Sequence, residues 1–520
     1  MTVPRRLLQS RADLPLFDAE TTRRIERRAA AALPEHALMA RAGLALVRLA
    51  RAVAPHAREV WIAAGPGNNG GDGFVLATWL RRAGITVSVT LAGHSPGRAL
   101  PADAAWALAE ARAAGVRLRD DVPGMEELAR IALGVDALLG VGQSRAPEGA
   151  IAAAVAALNA LDAPVLSVDV PTGLATDTGA PLGDAVVRAT HTLTLLTAKT
   201  GLFTGSGRDV AGEPWFDDLG VAPQDDERPA AMLTGSHVAA TTWPRRHHVA
   251  NKGSYGDVHV AGGAAGMVGA SLLAAHAASL AGAGRVLVHA HSSDAGGVLP
   301  VDVRHPELML RPVAELPPAL RDNPKATVVA GCGGGDDVAR ELPGCLSNAR
   351  RLVLDADALN AIARDPGLLA QLRARGAAGR PSVLTPHPLE AARLLGEDVA
   401  AVQADRLAAA RRLAADTGAV VVLKGSGTVV ATPDGRAAIN PTGDARLASA
   451  GTGDVLAGWI GGAWSAQPRG ASAVDQAFDV ARAGAWLHGR AADLARGDRL
   501  PLVAGELAAA MARALQSLDD

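Results

Sequence analysis

Short apolar runs that end in glycine-rich or polar turns, each followed by a helical pattern, set the organisation of this chain. The first clear case is residues 60–64 (VWIAA), which lead into GPGNNGGDG at 65–73 and a helical run through Val75 and Leu80. An apolar run of this length predicts a strand buried on both faces. Strands that alternate with helices predict an α/β fold with a mostly parallel, doubly wound sheet, whose ligands lie at the carboxyl ends of the strands.

Length and charge narrow the class of protein. A chain of 520 residues is too long for one ordinary core, so we expect two or three domains. Its 51 basic and 53 acidic side chains leave a net charge of -2, which gives no electrostatic basis for binding nucleic acid or an anionic membrane. We therefore expect small-molecule substrates and a homo-oligomer whose subunit number the sequence leaves open.

Residues 258–284 carry no charge and are long enough to span a bilayer. Because small residues dominate this stretch and His276 interrupts it, we expect a buried strand, loop and helix rather than a membrane span. The first 18 residues lack the apolar core of a signal peptide. The two cysteines, Cys332 and Cys345, suit a reducing compartment. Together these features predict a cytoplasmic protein.

Polar residues follow three of the strands predicted in the first half of the chain. Each could cap a helix or shape a turn, but their convergence at strand ends favours a binding site. They are Asn68, Asn69 and Asp72 after the first strand, Asp136 near the end of a later one, and Asp169 and Thr172 near the end of the next.

A change of composition at residues 223–242, where charged residues and prolines precede small polar ones, indicates a linker. We therefore predict a first domain over residues 1–222 and a second over residues 243–520, in which the strand and turn pattern restarts. Near its end, AGTGDVLAG leaves bare backbone amides around Gly451 and Gly453 at the start of a helix, which favours a phosphate. Asp454 lies in the first turn, where the helix dipole favours an ionised carboxylate that could act as a base.

Two further motifs of the second half follow predicted strands. KGSGT at 424–428 offers amides and one cation, either as part of a phosphate site or as a simple turn. His387 and Asp357 come after neighbouring strands, and a lone histidine of this kind is either a site residue or a structural one. The arrangement predicts a nucleotide site in the second domain.

The first half resembles the NAD(P)H-hydrate epimerase domain through GPGNNGGDG, DALLGVG, SVDVPTG and TAKTGLFTGSGRDVAGE, over about residues 10–222. The resemblance implies a Rossmann-like sheet, with Asp169 as the catalytic residue and also a contact of the hydrated dinucleotide. It further implies a K+ ion ligated by Asn69, Asp136 and Thr172, an oxygen set that suits a hard cation. The other implied substrate contacts are Asn68, Asn69, Gly70, Gly71, Asp72, Gly140, Val141, Gly142, Gln143, Ser144, Arg145 and Ala146.

The second half resembles the ribokinase-like ADP- or ATP-dependent NAD(P)H-hydrate dehydratase, on five motifs within residues 243–515. The resemblance implies Asp454 as the catalytic base and Mg2+ with ADP or ATP as co-substrate. It places the hydrate at Ala270, Gly333, Gly335, His387 and Asp454, and the nucleotide at Lys424, Gly425, Ser426, Gly427, Thr428 and Gly453. Cys332 and Gly334 depart from the usual proline and leucine, and Leu389 from a glycine.

Both resemblances imply one function, the repair of hydrated NADH and NADPH. The first domain would interconvert the epimers of the hydrate, and the second would dehydrate the S epimer at the expense of a nucleotide. The alternative is a vitamin or sugar kinase of the ribokinase-like fold with a non-catalytic N-terminal binding module. The choice between ADP and ATP, and between the two hydrates, stays open.

Overall fold

A computed structural model describes the chain except for residues 1, 2, 9, 96, 98, 244, 245, 292–300, 324, 469–471, 496–499, 519 and 520. It divides into two compact units, the first made of residues 1–10 and 14–232 and the second of residues 11–13 and 233–520. Both carry mixed α/β structure with mostly parallel sheets, which confirms the predicted fold class. The stretch 223–242 contains a short strand and a helix.

The first unit contains strands β1 to β10 and helices α1 to α7. The strands are Arg5–Arg6, Leu14–Phe17, Glu59–Ala64, Thr86–Leu91, Arg117–Arg119, Leu133–Ala137, Val165–Val168, His191–Leu195, Ala198–Lys199 and Glu213–Asp217. The helices are Ala19–Ala32, Ala37–Val53, Asn68–Arg82, Ala102–Ala113, Met125–Leu128, Gly149–Asn159 and Gly207–Val210.

The sheet of the first unit has the order β1-β10-β8-β7-β6-β3-β4-β5, with β1 antiparallel to β10. The chain leaves β3 in one direction towards β4 and β5, and in the other towards β6, β7 and β8. This reversal of strand order creates a crevice beyond the carboxyl ends of β3 and β6. Side chains of β3 alternate between two cores, with Ile62 in one and Trp61 in the other, so both faces of the sheet are covered.

One boundary differs from the prediction. The sequence predicted a glycine loop over residues 65–73, but α3 already begins at Asn68. Gly70 and Gly71 are helical and buried. A side chain at position 70 would meet the carbonyl oxygen of Gly65, and one at position 71 would meet Met39. These glycines allow the helix to start tightly against its neighbours.

The second unit contains β12 to β20 and α8 to α19, and β11 (Ala231–Leu233) lies at the junction of the two units in the sequence. The strands β12 to β20 are Asp257–Gly262, Arg285–Ala290, Met309–Arg311, Thr327–Ala330, Arg351–Leu354, Ser382–Leu384, Val420–Leu423, Val429–Ala431 and Ala437–Ile439. The helices are Ser236–Thr242, Val268–Leu280, Leu316–Asp322, Val338–Asn348, Ala356–Arg364, Pro366–Ala377, Pro388–Leu395, Val399–Ala404, Arg406–Thr417, Thr452–Ser465, Ala473–Leu494 and Ala504–Gln516.

The sheet of the second unit runs β14-β13-β12-β15-β16-β17-β18-β19-β20. Pairings from β14 to β18 are parallel, and β19 and β20 continue as antiparallel strands. Strand order reverses between β12 and β15, where the backbone of Gly263 donates a hydrogen bond of 3.1 Å to the carbonyl of Cys332. This reversal again places a crevice at the carboxyl ends of the strands.

Helices α9 and α17 pack with their backbones in close approach. An added Cβ at Gly458 would lie 2.0 Å from the carbonyl oxygen of Ala274, and one at Gly462 would lie 2.2 Å from that of Ala278. The glycines of α17 therefore fix its position against α9. The predicted strand, loop and helix of residues 258–284 are confirmed as β12 and α9. Within the described residues, no helix is both long and apolar enough to cross a membrane.

A buried histidine pair joins β12 to β13. Nδ1 of His289 lies 3.2 Å from the carbonyl oxygen of Pro312, so this nitrogen carries the proton. Burial lowers the pKa of His289, and in the neutral ring Nε2 is then the acceptor of the 3.0 Å hydrogen bond from Nδ1 of His259. Burial, followed by the charge of His289, lowers the pKa of His259 to about 4. The pair is therefore neutral at physiological pH.

Candidate active sites

A cavity of about 1090 Å3 opens at the strand-order reversal of the first unit. It is lined by residues that follow β3 and β6, together with α1 and the end of β7. Its volume lies at the upper end of the range for small-molecule sites, about 300 to 1,000 Å3. Of the predicted substrate contacts, the cavity lining includes Asn68, Asn69, Asp72, Gly140, Val141, Gly142, Gln143, Ser144, Arg145, Ala146 and Asp169.

Asp169 occupies a strained position at the edge of this cavity. Its φ of 69° lies in the left-handed region, which is uncommon for a residue other than glycine. Oδ1 accepts hydrogen bonds from Nζ of Lys199 and from the backbone amide of Leu195, the latter at 3.2 Å. Lys199 is 1% exposed and also donates to the carbonyl of Leu195 at 2.6 Å. Among the described residues, Oδ2 of Asp169 accepts no hydrogen bond, which leaves it available to a ligand.

Several other carboxyl groups belong to the same cavity. Burial, followed by the charge of Asp169, raises the pKa of Glu26. Burial, followed by the charges of Asp169 and Glu26, raises the pKa of Asp72 well above its usual value. Such groups retain their protons more readily and can donate hydrogen bonds to a ligand.

Asp136 lies behind the cavity, outside its lining, and is completely buried. One carboxylate oxygen accepts hydrogen bonds from the hydroxyl of Ser167 and the amide of Thr172, both at 2.9 Å. The other accepts from the Thr172 hydroxyl at 2.7 Å and the Leu138 amide at 3.3 Å. Burial raises the pKa of Asp136, although these hydrogen bonds oppose that effect. The structure thus brings Asp136 and Thr172 into direct contact.

The second unit assembles its polar residues around the N-terminus of α17. Nζ of Lys424 donates a 2.7 Å hydrogen bond to Oδ1 of Asp355, and an added Cβ at Gly453 would lie 3.1 Å from the same Nζ. Burial lowers the pKa of Lys424, but the charges of Asp355 and Glu390 outweigh it, so the net pKa is raised. The predicted nucleotide residues Lys424 and Gly453 are therefore neighbours.

Asp454 is the first-turn carboxylate of α17. Burial, followed by the charge of Asp355, raises its pKa to about 7, while a hydrogen bond from Cys332 and the charge of Lys424 act in the opposite direction. The sequence predicted that the helix dipole would keep this group ionised. In the structure burial and the charge of Asp355 instead bring its pKa near neutrality, which is the range that favours proton transfer.

His387 has a structural role in the described geometry. Its Nδ1 accepts hydrogen bonds from the amides of Leu389 and Glu390 at 3.1 and 3.2 Å, so it caps α14. Its own amide donates to the Glu390 carboxylate at 2.7 Å. Burial raises the pKa of Glu390 to about 7, against the charge of Lys424. His387 remains half exposed. Burial, followed by the charge of Lys424, lowers the pKa of His387.

The other predicted substrate residues of the second unit are Ala270, which follows β12 in the chain, and Gly333 and Gly335, which follow β15. An added Cβ at Gly333 would lie 2.9 Å from Cβ of Ala270. The amide of Gly335 donates a 2.9 Å hydrogen bond to Asp357, which lies in the first turn of α12. Gly333 and Gly335 both have positive φ values, 58° and 56°, so this turn depends on glycine. Asp357 thus fixes the turn.

The loop at residues 424–428 connects the antiparallel strands β18 and β19. Buried Arg406 holds its start, because Nη2 donates to the carbonyls of Leu423 and Lys424 at 3.1 and 3.0 Å. The hydroxyl of Thr428 donates to the carbonyl of Gly425 at 3.2 Å. The structure therefore places Lys424, the first residue of this loop, beside Gly453 at the start of α17.

Comparison with known proteins covers both units. The family model for NAD(P)H-hydrate dehydratase matches residues 258–513, and that for the YjeF-related protein N-terminus matches residues 35–201. The bifunctional NAD(P)H-hydrate repair enzyme of Escherichia coli is 36% identical over 483 residues, which is 92% of this chain and 88% of that protein. The namesake from Leishmania braziliensis is 36% identical over 486 residues, covering 88% and 84%.

The chain belongs to the bifunctional NAD(P)H-hydrate repair enzyme family. This confirms the family predicted from the sequence motifs of both halves. Among solved structures, the ADP/ATP-dependent NAD(P)H-hydrate dehydratase of Bacillus subtilis, co-crystallised with ATP and Mg2+, is 29% identical. It covers 55% of this chain and 97% of that one, with a TM-score of 0.43.

The structure explains how this member of the repair enzyme family accommodates its departures from the motif. Cys332 is fully buried and places its thiol against Asp454. An added Cβ at Gly334 would lie 2.7 Å from Cβ of Val338, the first residue of α11. A side chain at position 334 would therefore require the start of α11 to shift. Leu389 is 43% exposed, and its amide still caps onto His387. The helix start near His387 is therefore intact.

Sequence reasoning missed three residues at the two sites of this repair enzyme family member. Lys199 lies in the TAKTG motif but received no role, although a lysine within a buried run already signals a partner. Asp355, in the DADALN motif, was not singled out, whereas Asp357 was. Arg406 lies in a helix with several arginines and carried no distinguishing signal.

Proposed function

We propose that the first unit interconverts the epimers of hydrated NADH and NADPH, and that the second unit converts the S epimer back to the reduced dinucleotide using ADP or ATP. The observation that carries this proposal is the Asp454 carboxyl group, poised near pH 7 beside Lys424 and Gly453. Membership of the repair enzyme family supports the same assignment for both units. The kinase alternative gives no role to the Asp169 and Lys199 pair.

Dehydration needs a better leaving group than hydroxide. In the proposed step, Asp454 takes the proton from the substrate hydroxyl, which lies on the carbon next to the ring nitrogen. The oxygen attacks the terminal phosphorus of the nucleotide and displaces AMP from ADP, or ADP from ATP. The ring nitrogen lone pair then expels phosphate, and loss of a proton from the neighbouring carbon restores the double bond. Lys424 and the amides at 424–428 and Gly453 balance the phosphate charge. The hydrate would lie against Ala270, Gly333, Gly335 and His387.

Mg2+ fits this site because Asp355 supplies carboxylate oxygens, the ligands this ion prefers. Together with phosphate oxygens, Asp355 would hold the ion, which would neutralise charge during phosphoryl transfer and leave Asp454 free to act as the base. Lys424, already paired with Asp355, keeps one carboxylate fixed in orientation.

Epimerisation requires the hydroxyl to leave one face of the ring and return on the other. We propose that the ring nitrogen expels the hydroxyl, which takes a proton from the Asp169 and Lys199 pair and departs as water. Water then adds to the opposite face of the cationic ring and returns the proton to the pair. The unpartnered Oδ2 of Asp169 and the cavity beside it support this role. Arg23 and Arg145 line the same cavity and suit the pyrophosphate of a dinucleotide.

A K+ ion held by Asn69, Asp136 and Thr172 stays a proposal. Nδ2 of Asn69 is buried without a hydrogen-bond partner among the described residues. Rotation of this amide by 180° would place its oxygen at this unsatisfied position, where it could ligate a cation. Asp136 and Thr172 would contribute further oxygens, and the ion would fix the turns that flank the cavity.

We also propose a cytoplasmic location and a homo-oligomeric state. Cys332 and Cys345 are both free and buried, which supports a compartment that keeps thiols reduced. Chromatographic mass measurement of the purified chain tests the oligomer.

The decisive experiment follows the absorbance of intact dihydronicotinamide after the protein meets hydrated NADPH with ADP or ATP. We expect recovery only when a nucleotide is present. Recovery without any nucleotide, or phosphorylation of a vitamin or sugar in place of recovery, would overturn the proposal.

A further inference from the structure

The second unit contains a cluster of metal-binding side chains that the repair reaction does not use. His276 lies on α9, and His305 and Glu307 lie in the segment just before β14. One ligand atom from each lies within 4.8 Å of the others. The two imidazole rings stack with centroids 3.7 Å apart and planes inclined by 23°, and Nδ1 of His305 is 3.7 Å from the Glu307 carboxylate.

One atom of this cluster lacks a partner. Nδ1 of His276 is buried and makes no hydrogen bond among the described residues. A buried polar atom left unsatisfied is destabilising, so native proteins rarely keep one without a reason. In the tautomer that carries its proton on Nε2, Nδ1 of His276 offers a lone pair to a cation.

The segment that carries the other two ligands is held in place independently. The Asp302 carboxylate accepts hydrogen bonds from the amides of Arg304 and His305, at 2.8 and 3.1 Å. The amide of Leu308 donates to the carbonyl of His305 at 3.1 Å, and the Leu308 side chain is 3% exposed. This ordered turn presents His305 and Glu307 towards α9, and the nearby acidic groups suit a cation.

We propose that His276, His305 and Glu307 form a binding site for a borderline divalent transition-metal cation, for which Zn2+ is the best match. Two imidazole nitrogens and one carboxylate oxygen are a common zinc ligand set, with a fourth position left for water. Mg2+ and K+ are disfavoured at this cluster because they select oxygen donors. The metal would fasten the turn before β14 to α9, which in turn packs closely on α17.

The test uses the full chain after treatment with a chelator. Zn2+ is titrated calorimetrically, and Co2+ is titrated in parallel because its visible absorption reports tetrahedral nitrogen and oxygen ligands. We expect one equivalent at this site, a melting temperature that rises with Zn2+ concentration, and visible Co2+ bands. Because changes outside the first ligand shell already weaken metal binding 10- to 100-fold, His276→Ala should weaken Zn2+ at least about 100-fold.

Three further variants establish where in the chain the metal binds. Glu307→Gln changes a side chain that is 56% exposed, so the protein should fold normally and bind Zn2+ more weakly. His237→Ala removes an exposed histidine of α8 and should leave binding unchanged. Cys332→Ser disrupts the other three-residue cluster, Cys332 with Asp355 and Asp454, and should also leave it unchanged.

Three results would overturn the proposal. The first is a wild-type chain that takes up no Zn2+ or Co2+. The second is binding that survives both His276→Ala and Glu307→Gln, or that disappears with Cys332→Ser. A change of melting temperature in His276→Ala that is the same with and without Zn2+ would likewise assign a purely structural role to the histidine.

Discussion

Nζ of Lys424 donates a 2.7 Å hydrogen bond to Oδ1 of Asp355, and the charges of both residues act on two carboxyl groups whose pKa values are about 7. Asp355 raises the pKa values of Asp454 and Glu390, and Lys424 lowers them. Burial makes the largest contribution to the pKa of Asp454, the proposed base of the second unit. The opposing charges of Lys424 and Asp355 then determine how readily this group loses its proton.

The pH dependence of dehydration follows from the pKa of Asp454. The base must be ionised, so kcat/KM should rise with pH and level off above about pH 7. Asp355→Asn should move the rising limb to lower pH, because it removes a negative charge. Cys332→Ala should move it to higher pH, because it removes a hydrogen bond to the carboxylate. Initial rates across pH measure both shifts, and equal shifts in one direction would exclude Asp454 as the titrating group.

Asp454→Ala should reduce dehydration by about 10^2- to 10^4-fold, the usual contribution of a general base. The protein should fold normally. Because the folded-state pKa of Asp454 is raised, ionisation of this group at pH 8 opposes folding, so the free energy of unfolding should not fall. Single-turnover kinetics and urea unfolding measure the two effects. Near-normal turnover in a folded variant would remove Asp454 from the mechanism.

Asp169→Ala should separate the two activities. A mixed sample of hydrates should be repaired quickly at first and then stall at the R epimer, apart from spontaneous interconversion. Asp454→Ala should equilibrate the epimers without recovering reduced dinucleotide. Because the two residues belong to different units, a mixture of the two variants should restore full repair. Chromatography that resolves the epimers follows both steps, and consumption of both epimers by Asp169→Ala at the wild-type rate would favour a scaffold role.

Potassium should affect epimerisation more than dehydration. Replacing K+ with tetramethylammonium should slow the interconversion of epimers, because that cation is too large for the oxygen ligands of Asn69, Asp136 and Thr172. Dehydration of pure S epimer in the same buffers serves as the control. Equal rates of epimerisation in both salts would argue against the ion.

The His259 and His289 pair should make the second unit sensitive to acid. The folded-state pKa of His259 is about 4, below its ordinary value of 6.5, so the unfolded state binds more protons between these values. Its stabilising contribution is therefore present above pH 6.5 and is lost as the pH falls towards 4. His259→Asn keeps a donor for His289 without titrating. We expect the slope of unfolding free energy against pH to differ by up to about 1.4 kcal/mol per pH unit.

The same experiment has an internal check of sign. Asp454 and Glu390 have raised pKa values, so their contributions change in the opposite direction and decrease as the pH rises towards 7. Asp454→Asn should therefore steepen the loss of stability in acid. If His259→Asn and Asp454→Asn changed the slope of unfolding free energy against pH in the same direction, the assigned protonation states would be wrong.

The sequence predicted the architecture well because several central parallel strands of both sheets end in turns that are visible as motifs. The apolar run before Gly65 and the one before Asp355 identify buried strands, and the polar turns after them identify the ligand edge. The start of α3 was wrong because glycines usually indicate a loop, whereas here their missing side chains admit close helix packing. Local sequence does not reveal which backbone will approach a glycine.

Site residues were harder to predict when their roles depend on distant partners. Asp454 was expected to be ionised because the dipole of its own helix was the one influence readable from the motif. In the folded structure its pKa reflects burial and the charge of Asp355, which is 99 positions away in the chain. Lys199 was missed for the same reason, since its partner Asp169 comes from another strand end. Charges that meet only in the folded state leave no local signature.

Arg406 has a consequence for the thermodynamics of nucleotide binding. Because its buried guanidinium already holds the carbonyls of Leu423 and Lys424, the start of the loop is ordered before any ligand arrives. Immobilising a flexible side chain on association costs about 0.5 to 1.5 kcal/mol, and a loop fixed in advance avoids much of that entropy loss. If this loop binds phosphate as proposed, the affinity depends on Arg406, whose hydrogen bonds are to other groups of the protein.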